Sequence, residues 1–343
     1  MATLNDISAV MHKYVVDKVF YQTFKKNAGL RLLMDATKKR MPAGNNFGYI
    51  LQLGENPAVD WIAADATGVF SNNTSNSTVQ ATMDWKTLYY NTPVTHDDYV
   101  KAGGDSEVEI VNLFQTKASN TIATMIKKLS EQLYLSGYGA GNTLKMNGLE
   151  DVFSGMGVAY AGVTPVAGTN TEEWIATEIP AAGAGAVNAI NYAELNNVIS
   201  KLRANSDFYA EGAQTNTSDL EPDLILSNHA VQAQFTNTQQ GNQVFNNNAN
   251  LTAGYDAIKV NGLDWYVDSY CPGSAGAAAD NHLYVLSKNS IRFGYRYGWD
   301  EQSPLAGSQN MPSQLVRNEL GLLTGNFYCV KRNVNGRFVG IAI

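Results

Sequence analysis

One amphipathic run, SEVEIVNLFQTKASNTIATMIKKLSEQLYLS from Ser106 to Ser136, constrains this chain more than any other stretch. Val111, Phe114, Ala118, Ile122, Met125, Leu129 and Leu133 recur at intervals of three and four, which is one face of a helix with little phase drift. Ser106 and Glu109 form a capping-box pattern, and Asp105, Glu107 and Glu109 set negative charge against the positive end of the helix dipole. Lys127 and Lys128 lie toward the far end, where Gly137 is expected to stop the helix. A rod of about 30 residues is about 45 Å long. A compact 150-residue domain has a radius of gyration of only about 15 Å. The run therefore predicts a flat or elongated body, a shape suited to building.

The strands and helices around this rod follow no βαβ rhythm, which points to an α+β chain. An N-terminal helix is expected from Asn5 to about Lys26, with Gly29 just past its end. FGYILQL (Phe47 to Leu53) and TMDWKTLYYNTPV (Thr82 to Val94) read as strands joined by a long Asn-, Ser-, Thr- and Gly-rich tip. A two-stranded arm makes no core unaided, yet Trp61, Phe70 and Trp85 call for burial. The arm is therefore expected to lie on another molecule. Beyond the rod, SGYGAGNTLKMNG is a loop and VFSGMGVAYAGVTPVAG reads as irregular. A second helix is expected from Ala186 to Asn205. EPDLILSNHAVQAQF reads as a buried strand, Leu224 to Leu226, then a helix capped at Asn228. AIKVNGLDWYVD predicts a hairpin with a type I′ turn at Asn261-Gly262. HLYVLS is a short strand. NFYCVKR and RFVGIAI are expected to close the chain as a hairpin turning at Asn335-Gly336.

The bulk composition narrows function. The 343 residues are 44% hydrophobic and 16% charged, with 35 asparagines, so a sizeable core is available and the polar surface is largely uncharged. Such a surface suits broad protein–protein contact, and equally an asparagine-rich loop surface. Residues 1–41 carry eight basic side chains against three acidic, whereas the remainder carries 16 against 28. A basic arm on an acidic body fits docking on a neighbouring copy, with Lys25 and Lys26 as candidate contacts. A solvated helix face and nucleic-acid binding remain alternatives, although an acidic body repels phosphate. Cys271 and Cys329 have no metal-ligand spacing and are read as free thiols of a reducing compartment. No secretory signal and no membrane-spanning run is visible.

Catalytic motifs are missing. His12, His96, His229 and His282 form no zinc motif, and the glycines at 137, 139 and 141 follow a helix rather than a strand. Glu172 and Glu173 read as a solvated pair. The one candidate centre is the turn His96, Asp97 and Asp98, for which a polar turn competes with an ion site. No cofactor and no metal is implied.

The order of these pieces resembles the major capsid proteins of tailed bacteriophages, the family built on the Hong Kong phage capsid fold. The resemblance runs over essentially the whole chain. It rests on TMDWKTLYYNTPVTHDDYVKAG leading into the long helix, PDLILSNHA, LDWYVDSYCPGSAG, NHLYVLSKNSIRF and the closing FYCVKRNVNGRFVGIAI. It implies an N-terminal arm (1–45), an extended β-hairpin loop (46–95) and a peripheral domain (96–185) with a spine helix (104–137). An inserted axial α/β domain (186–310) and C-terminal strands returning to the peripheral domain (311–343) complete the layout. It further implies a structural, non-enzymatic protein of the virion, self-assembled in the host cytoplasm into hexamers and pentamers of an icosahedral shell around double-stranded DNA, without sequence-specific binding and without a membrane. Portal and decoration proteins are expected partners. A separate scaffolding protein is expected too, because the arm begins near Met1. Trp61, Phe70, Trp85, Lys86, Lys25 and Lys26 become candidate inter-subunit contacts. The rival readings are an encapsulin-like nanocompartment shell and a soluble enzyme. From Ile110 to Ile126 the helix bears one charge, Lys117, so its polar side is expected to be covered by neighbouring chain.

Overall fold

The computed structural model describes residues 27–36, 38–41, 44–53, 78–95, 97, 107–137, 143–169, 171–179, 190–206, 220–239, 257–273, 281–297, 307–311 and 316–341. In chain order the described elements begin with helix α1 (Ala28–Ala36) and strands β1 (Lys38–Arg40), β2 (Asn46–Gln52), β3 (Thr78–Asp84) and β4 (Lys86–Thr95). The long helix α2 (Glu107–Leu133), a single turn α3 (Leu149–Val152), β5 (Thr177–Ile179) and α4 (Tyr192–Ser206) follow. Next come β6 (Leu224–Ser227), α5 (His229–Gln239), β7 (Ala257–Val260), β8 (Leu263–Val267) and β9 (Leu283–Leu286). β10 (Ile291–Tyr297), β11 (Gly307–Met311), β12 (Val316–Cys329) and β13 (Gly336–Phe338) close the chain. The architecture is mixed α+β, as expected.

The long helix has 27 residues, about 40 Å at the usual rise. Ile122, Met125, Leu129 and Leu133 of its periodic face are buried. The side chains of Val111, Phe114 and Ala118 lie outside the described residues. The helix ends three residues before Ser136, because Tyr134 and Leu135 donate to the carbonyls of Glu131 and Gln132 in a tightened last turn. Gly137 is not the stop. It is small because a Cβ there would lie 2.8 Å from the Met146 carbonyl of the returning loop.

The six-stranded sheet runs β5-β13-β9-β6-β8-β7, with β6 parallel to β8 across α5. LILS and LYVL read as continuous apolar runs because both faces of β6 and β9 are buried. On one face Ile225, Trp265, Leu283 and Val285 meet Leu195, Val198, Ile199 and Leu202 of α4 and Val231 and Phe235 of α5. On the other, Leu224, Leu226, Tyr284 and Leu286 join the larger core with α1, α2, β2 and β12. Asn228 caps α5 by accepting from Val231 N at 2.9 Å, as expected. Asn261 and Gly262 take φ of 50° and 85°, the left-handed pair of a type I′ turn between β7 and β8.

The expected helix from Asn5 to about Lys26 lies outside the described residues; Gly29, expected just past its end, lies in the first turn of α1, where its N–H donates to Asp268 Oδ2 at 2.9 Å. Three expectations are corrected. Helix α4 begins at Tyr192, not Ala186, where Asn191 Oδ1 accepts from Glu194 N at 2.8 Å. The expected strand from Thr82 spans Thr78 to Thr95 but breaks at Trp85. Among the described residues β3 pairs only β2, while β4 pairs β12 in a five-stranded sheet with β1, β10 and β11. The closing pieces do not form a hairpin. β12 belongs to the five-stranded sheet and β13 to the six-stranded one, and the turn at Arg332–Asn335 carries the chain between them.

Candidate assembly surfaces and joints

The stem of the β2–β3 hairpin is seated on its own chain. Phe47, Tyr49 and Leu51 alternate with exposed Asn46, Gly48 and Ile50, the period of a half-buried strand. The buried face packs on β12, with Phe47 and Tyr49 rings 5.5 and 4.9 Å from Tyr328 and Tyr49 Oη donating to the Cys329 carbonyl. The expectation that the arm lies on another molecule is corrected for this stem. Its tip, with Trp61 and Phe70, lies outside the described residues, as do Lys25 and Lys26. Of the six candidate contact residues two remain. Trp85 is half-buried, its ring 4.7 Å from Phe47, and its Nε1–H is buried without a hydrogen-bond acceptor. Lys86 Nζ donates to the Thr143 carbonyl at 2.5 Å. Both therefore hold neighbouring segments of their own chain together.

What faces outward is apolar in places. Ile50 on β2 is 66% exposed, Tyr89 on β4 68% and Leu144, next to the Lys86 anchor point, 87%. Single exposed apolar residues are ordinary on any protein surface. Here two of them sit on strands whose partners lie on one side only among the described residues, β2 against β3 and β4 against β12.

Three buried polar joints, none anticipated from the sequence, tie the elements together. At the start of α1, Asp268 at the end of β8 accepts from Gly29 N, from Tyr134 Oη at 2.9 Å and from Tyr270 N. Asn27 Nδ2 adds a 2.6 Å bond to Ser130 Oγ. Burial, and then the adjacent Asp268 carboxylate, push the Tyr134 hydroxyl well above its ordinary pKa. After the long helix, Asp151 accepts from Ser136 Oγ, Gly137 N, Asn147 Nδ2 and Gly148 N, closing the 137–148 loop. Between the sheets, Arg332 is fully buried and donates to the carbonyls of Val152, Trp174 and Ser154 at 2.7, 2.9 and 2.6 Å. Its guanidinium lies over the rings of Tyr160 and Trp174, 5.1 and 5.7 Å from their centroids. Desolvation lowers its pKa, yet an arginine keeps its charge. Arg337 pairs with both Glu150 and Glu178. The sequence held one signal for these joints, a dense KRNVNGR cluster inside an otherwise apolar C-terminal stretch.

The chemistry on offer is structural. Cys329 is pushed from 9.0 up to about 12, mainly by burial, and Cys271 is raised well above its ordinary value by burial and Asp268. Such thiols are poor nucleophiles. Cys271 Sγ reaches the His282 backbone carbonyl at 3.6 Å rather than the imidazole, which faces Tyr284 Oη at 3.1 Å. Asp97 is exposed, and its expected partners His96 and Asp98 lie outside the described residues. Among the described residues no group of three or more His, Cys, Asp or Glu is placed to hold a metal, and no helix is long and apolar enough to cross a membrane.

Solved structures match this fold. The capsid asymmetric unit of cyanophage A-1(L) matches with a TM-score of 0.64 at 16% identity, covering 93% of each chain. The chain has the major capsid fold of tailed phages. A second match is the capsid of an empty GTA particle, with a TM-score of 0.56, 12% identity and coverage of 92% of this chain and 96% of that one. A third is the SrpI encapsulin of Synechococcus elongatus PCC 7942, with a TM-score of 0.52, 11% identity and coverage of 92% and 87%. No protein-family model matches the sequence, and no curated protein does. At these identities the capsid fold is shared while almost every side chain differs.

Proposed function

We propose that this chain is the major capsid protein of a tailed phage, a structural, non-enzymatic subunit that self-assembles into an icosahedral shell around double-stranded DNA. The observation that carries the reading is the match to a cyanophage capsid subunit over 93% of both chains. On this reading residues 1–45 form the arm, 46–95 the extended loop and 96–185 the peripheral domain with its spine. Residues 186–310 form the axial domain and 311–343 the returning strands. Copies associate as hexamers and pentamers, with a separate scaffolding protein, a portal and decoration proteins as partners, in a virion assembled in the host cytoplasm. Many modest contacts suffice, because copies that hold one another convert weak pairs into a stable shell.

Lys25, Lys26, Trp61 and Phe70 are proposed contacts with neighbouring subunits, and Trp85 and Lys86 stiffen the loop that presents them. The polar side of the spine between Ile110 and Ile126 is proposed to be covered by neighbouring chain. The encapsulin match favours a second reading, a nanocompartment shell that holds protein cargo. Negative-stain microscopy with light scattering on purified protein tests both. Closed shells formed with a scaffolding protein and holding nuclease-protected DNA support the capsid. Scaffold-free shells holding an enzyme support the compartment. A monodisperse monomer under every assembly condition refutes both. Trp61→Ala is expected to lower shell yield while subunit solubility is kept, and unaltered yield would remove Trp61 from the interface.

A further inference from the structure

The chain holds three Asn-Gly pairs, at 147-148, 261-262 and 335-336. Such pairs are the sequence context in which the following amide nitrogen can attack the asparagine side chain, because glycine leaves the approach open. The fold treats the three differently. Asn147 is buried, its Nδ2 donates to Asp151 Oδ2, its Oδ1 accepts from Asn326 Nδ2, and the nucleophilic Gly148 N is itself bound to Asp151 Oδ2 at 3.2 Å. Asn335 is fully buried, its Oδ1 accepts from Ser287 N, its Nδ2 donates to the Lys331 carbonyl, and Gly336 is paired in β13 to strands on both sides. Neither can reorganise without opening a core.

Asn261 differs. It is half-buried at the tip of the β7–β8 hairpin, beside an exposed Gly262, and β7 is an edge strand of its sheet. Its Nδ2 donates to Asn196 Oδ1 at 2.6 Å, which holds the side-chain amide. Arg203 Nη2 donates to the Asn261 backbone carbonyl at 3.0 Å. That carbonyl is conjugated with Gly262 N, so a cation on its oxygen stabilises the anion formed when the amide nitrogen loses its proton. Arg203 Nε is buried without a partner, and no carboxylate neutralises the guanidinium among the described residues. Its charge acts on this carbonyl.

We infer that Asn261-Gly262 is a self-modification site, at which the hairpin tip deamidates through a succinimide under the influence of Arg203. Gly262 N loses its proton to solvent and attacks Asn261 Cγ. The new N–Cγ bond forms, the Cγ–Nδ2 bond breaks, and Nδ2 leaves as ammonia after taking a proton. Water then opens the ring at either carbonyl, giving aspartate or isoaspartate at position 261. One negative charge thus enters each copy beside α4, in a turn that must open briefly for the attack because its left-handed geometry is not that of the ring. No oxidant, reductant or metal is required.

Peptide mapping by mass spectrometry of the full-length protein, aged at neutral and mildly alkaline pH, tests this. Asn261 is expected to convert at least about tenfold faster than Asn147 and Asn335, since a locked site reacts only from its rarely opened form. Conversion is expected to quicken as pH rises. Arg203→Gln is expected to slow Asn261 several-fold, and Arg203→Lys, which keeps the cation should the glutamine variant fold poorly, to slow it less. In urea the three pairs are expected to converge on one rate. Conversion of Asn261 no faster than the two buried pairs overturns the site, and a rate unchanged in both Arg203 variants overturns the role of the arginine.

Discussion

Replacing Gly29 by alanine separates two physical arguments, because they predict opposite signs. Gly29 lies in the first turn of α1 with ordinary helical backbone, and glycine in a helix costs about 0.5–1 kcal/mol relative to alanine. Helix propensity alone therefore predicts that Gly29→Ala stabilises α1. The packing says otherwise. A Cβ on residue 29 would overlap Tyr134 Oη and lie 2.6 Å from Asp268 Oδ2, the two atoms that share the hydrogen bond of this joint. Neither is the end of a free side chain, since Asp268 also accepts from Gly29 N and Tyr270 N. Hydrogen bonds to a charged group contribute about 1.5–3 kcal/mol each. Losing one and stretching another costs about 2–4 kcal/mol, which leaves a net destabilisation of about 1–3 kcal/mol after the helix gain.

Hydrogen exchange of the full-length subunit, read on the amides of α1, is the direct assay. Protection there is expected to fall about 5- to 150-fold in Gly29→Ala, while β6 and β9 keep theirs. In a Tyr134→Phe background one of the two overlapping atoms is gone, so the alanine is expected to cost less than in the native chain. Slower exchange across α1 in the single variant would refute the reasoning and return the decision to propensity.

Two further outcomes follow from the other buried groups. Arg332→Lys keeps the charge but offers one nitrogen to three carbonyls, and each buried group left unpaired costs about 1–3 kcal/mol. The unfolding free energy of the subunit, read from its urea midpoint, is expected to fall by about 2–5 kcal/mol, and an unchanged midpoint would show that water replaces the lost donors. Stability is also expected to drop on alkaline titration. The folded chain holds the Cys329 proton to about 12 against an ordinary 9.0, so above about pH 9 the unfolded chain loses a proton that the native one keeps. Stability from this group is intact below pH 9 and falls by about 1.4 kcal/mol per pH unit up to 12. Cys329→Ala is expected to flatten that slope in part, with Cys271, Tyr134 and Tyr284 supplying the rest.

Local chemistry was readable wherever a few adjacent residues decide the outcome. Asn228 caps α5, Asn261-Gly262 turns β7 into β8, and the three-four spacing of Ile122, Met125, Leu129 and Leu133 picks the buried side of the long helix. The alternation of Phe47, Tyr49 and Leu51 likewise announces one buried face. Alternation carries no information about whose core receives that face, so the sequence points equally to a neighbour, whereas the stem packs on Tyr328 of its own chain. The joints at Asp268 and Arg332 are illegible for a related reason. Gly29 and Asp268 are 239 residues apart, and Arg332 and Val152 180 apart. Such pairs leave no period and no spacing, and the polar KRNVNGR cluster marks one side of the Arg332 joint without naming its partners.

These joints fall where the backbone has least help. A chain that leaves one sheet for another interrupts its ladder, and the freed N–H and C=O groups need partners. At the Trp85 break Asn326 Nδ2 donates to the Asp84 carbonyl, and Asn326 Oδ1 accepts from Asn147 N. At the crossing from β12 to β13, Asn335 N donates to the Arg332 carbonyl and Thr177 N to the Asn335 carbonyl, while Asn335 Oδ1 accepts from Ser287 N and Ser290 Oγ. The asparagines that give the sequence its uncharged polar character thus do two kinds of work, and burial separates them. Asn147, Asn281, Asn326 and Asn335 are at most 2% exposed and serve as internal splices. An amide is suited to this, since it both donates and accepts and carries no charge to desolvate. On the proposed reading as a shell tile, splices of this kind keep the two sheets fixed relative to each other when neighbours pull on the hairpin stem and on the axial region from different directions. Rigidity at the crossings follows from the hydrogen bonds themselves.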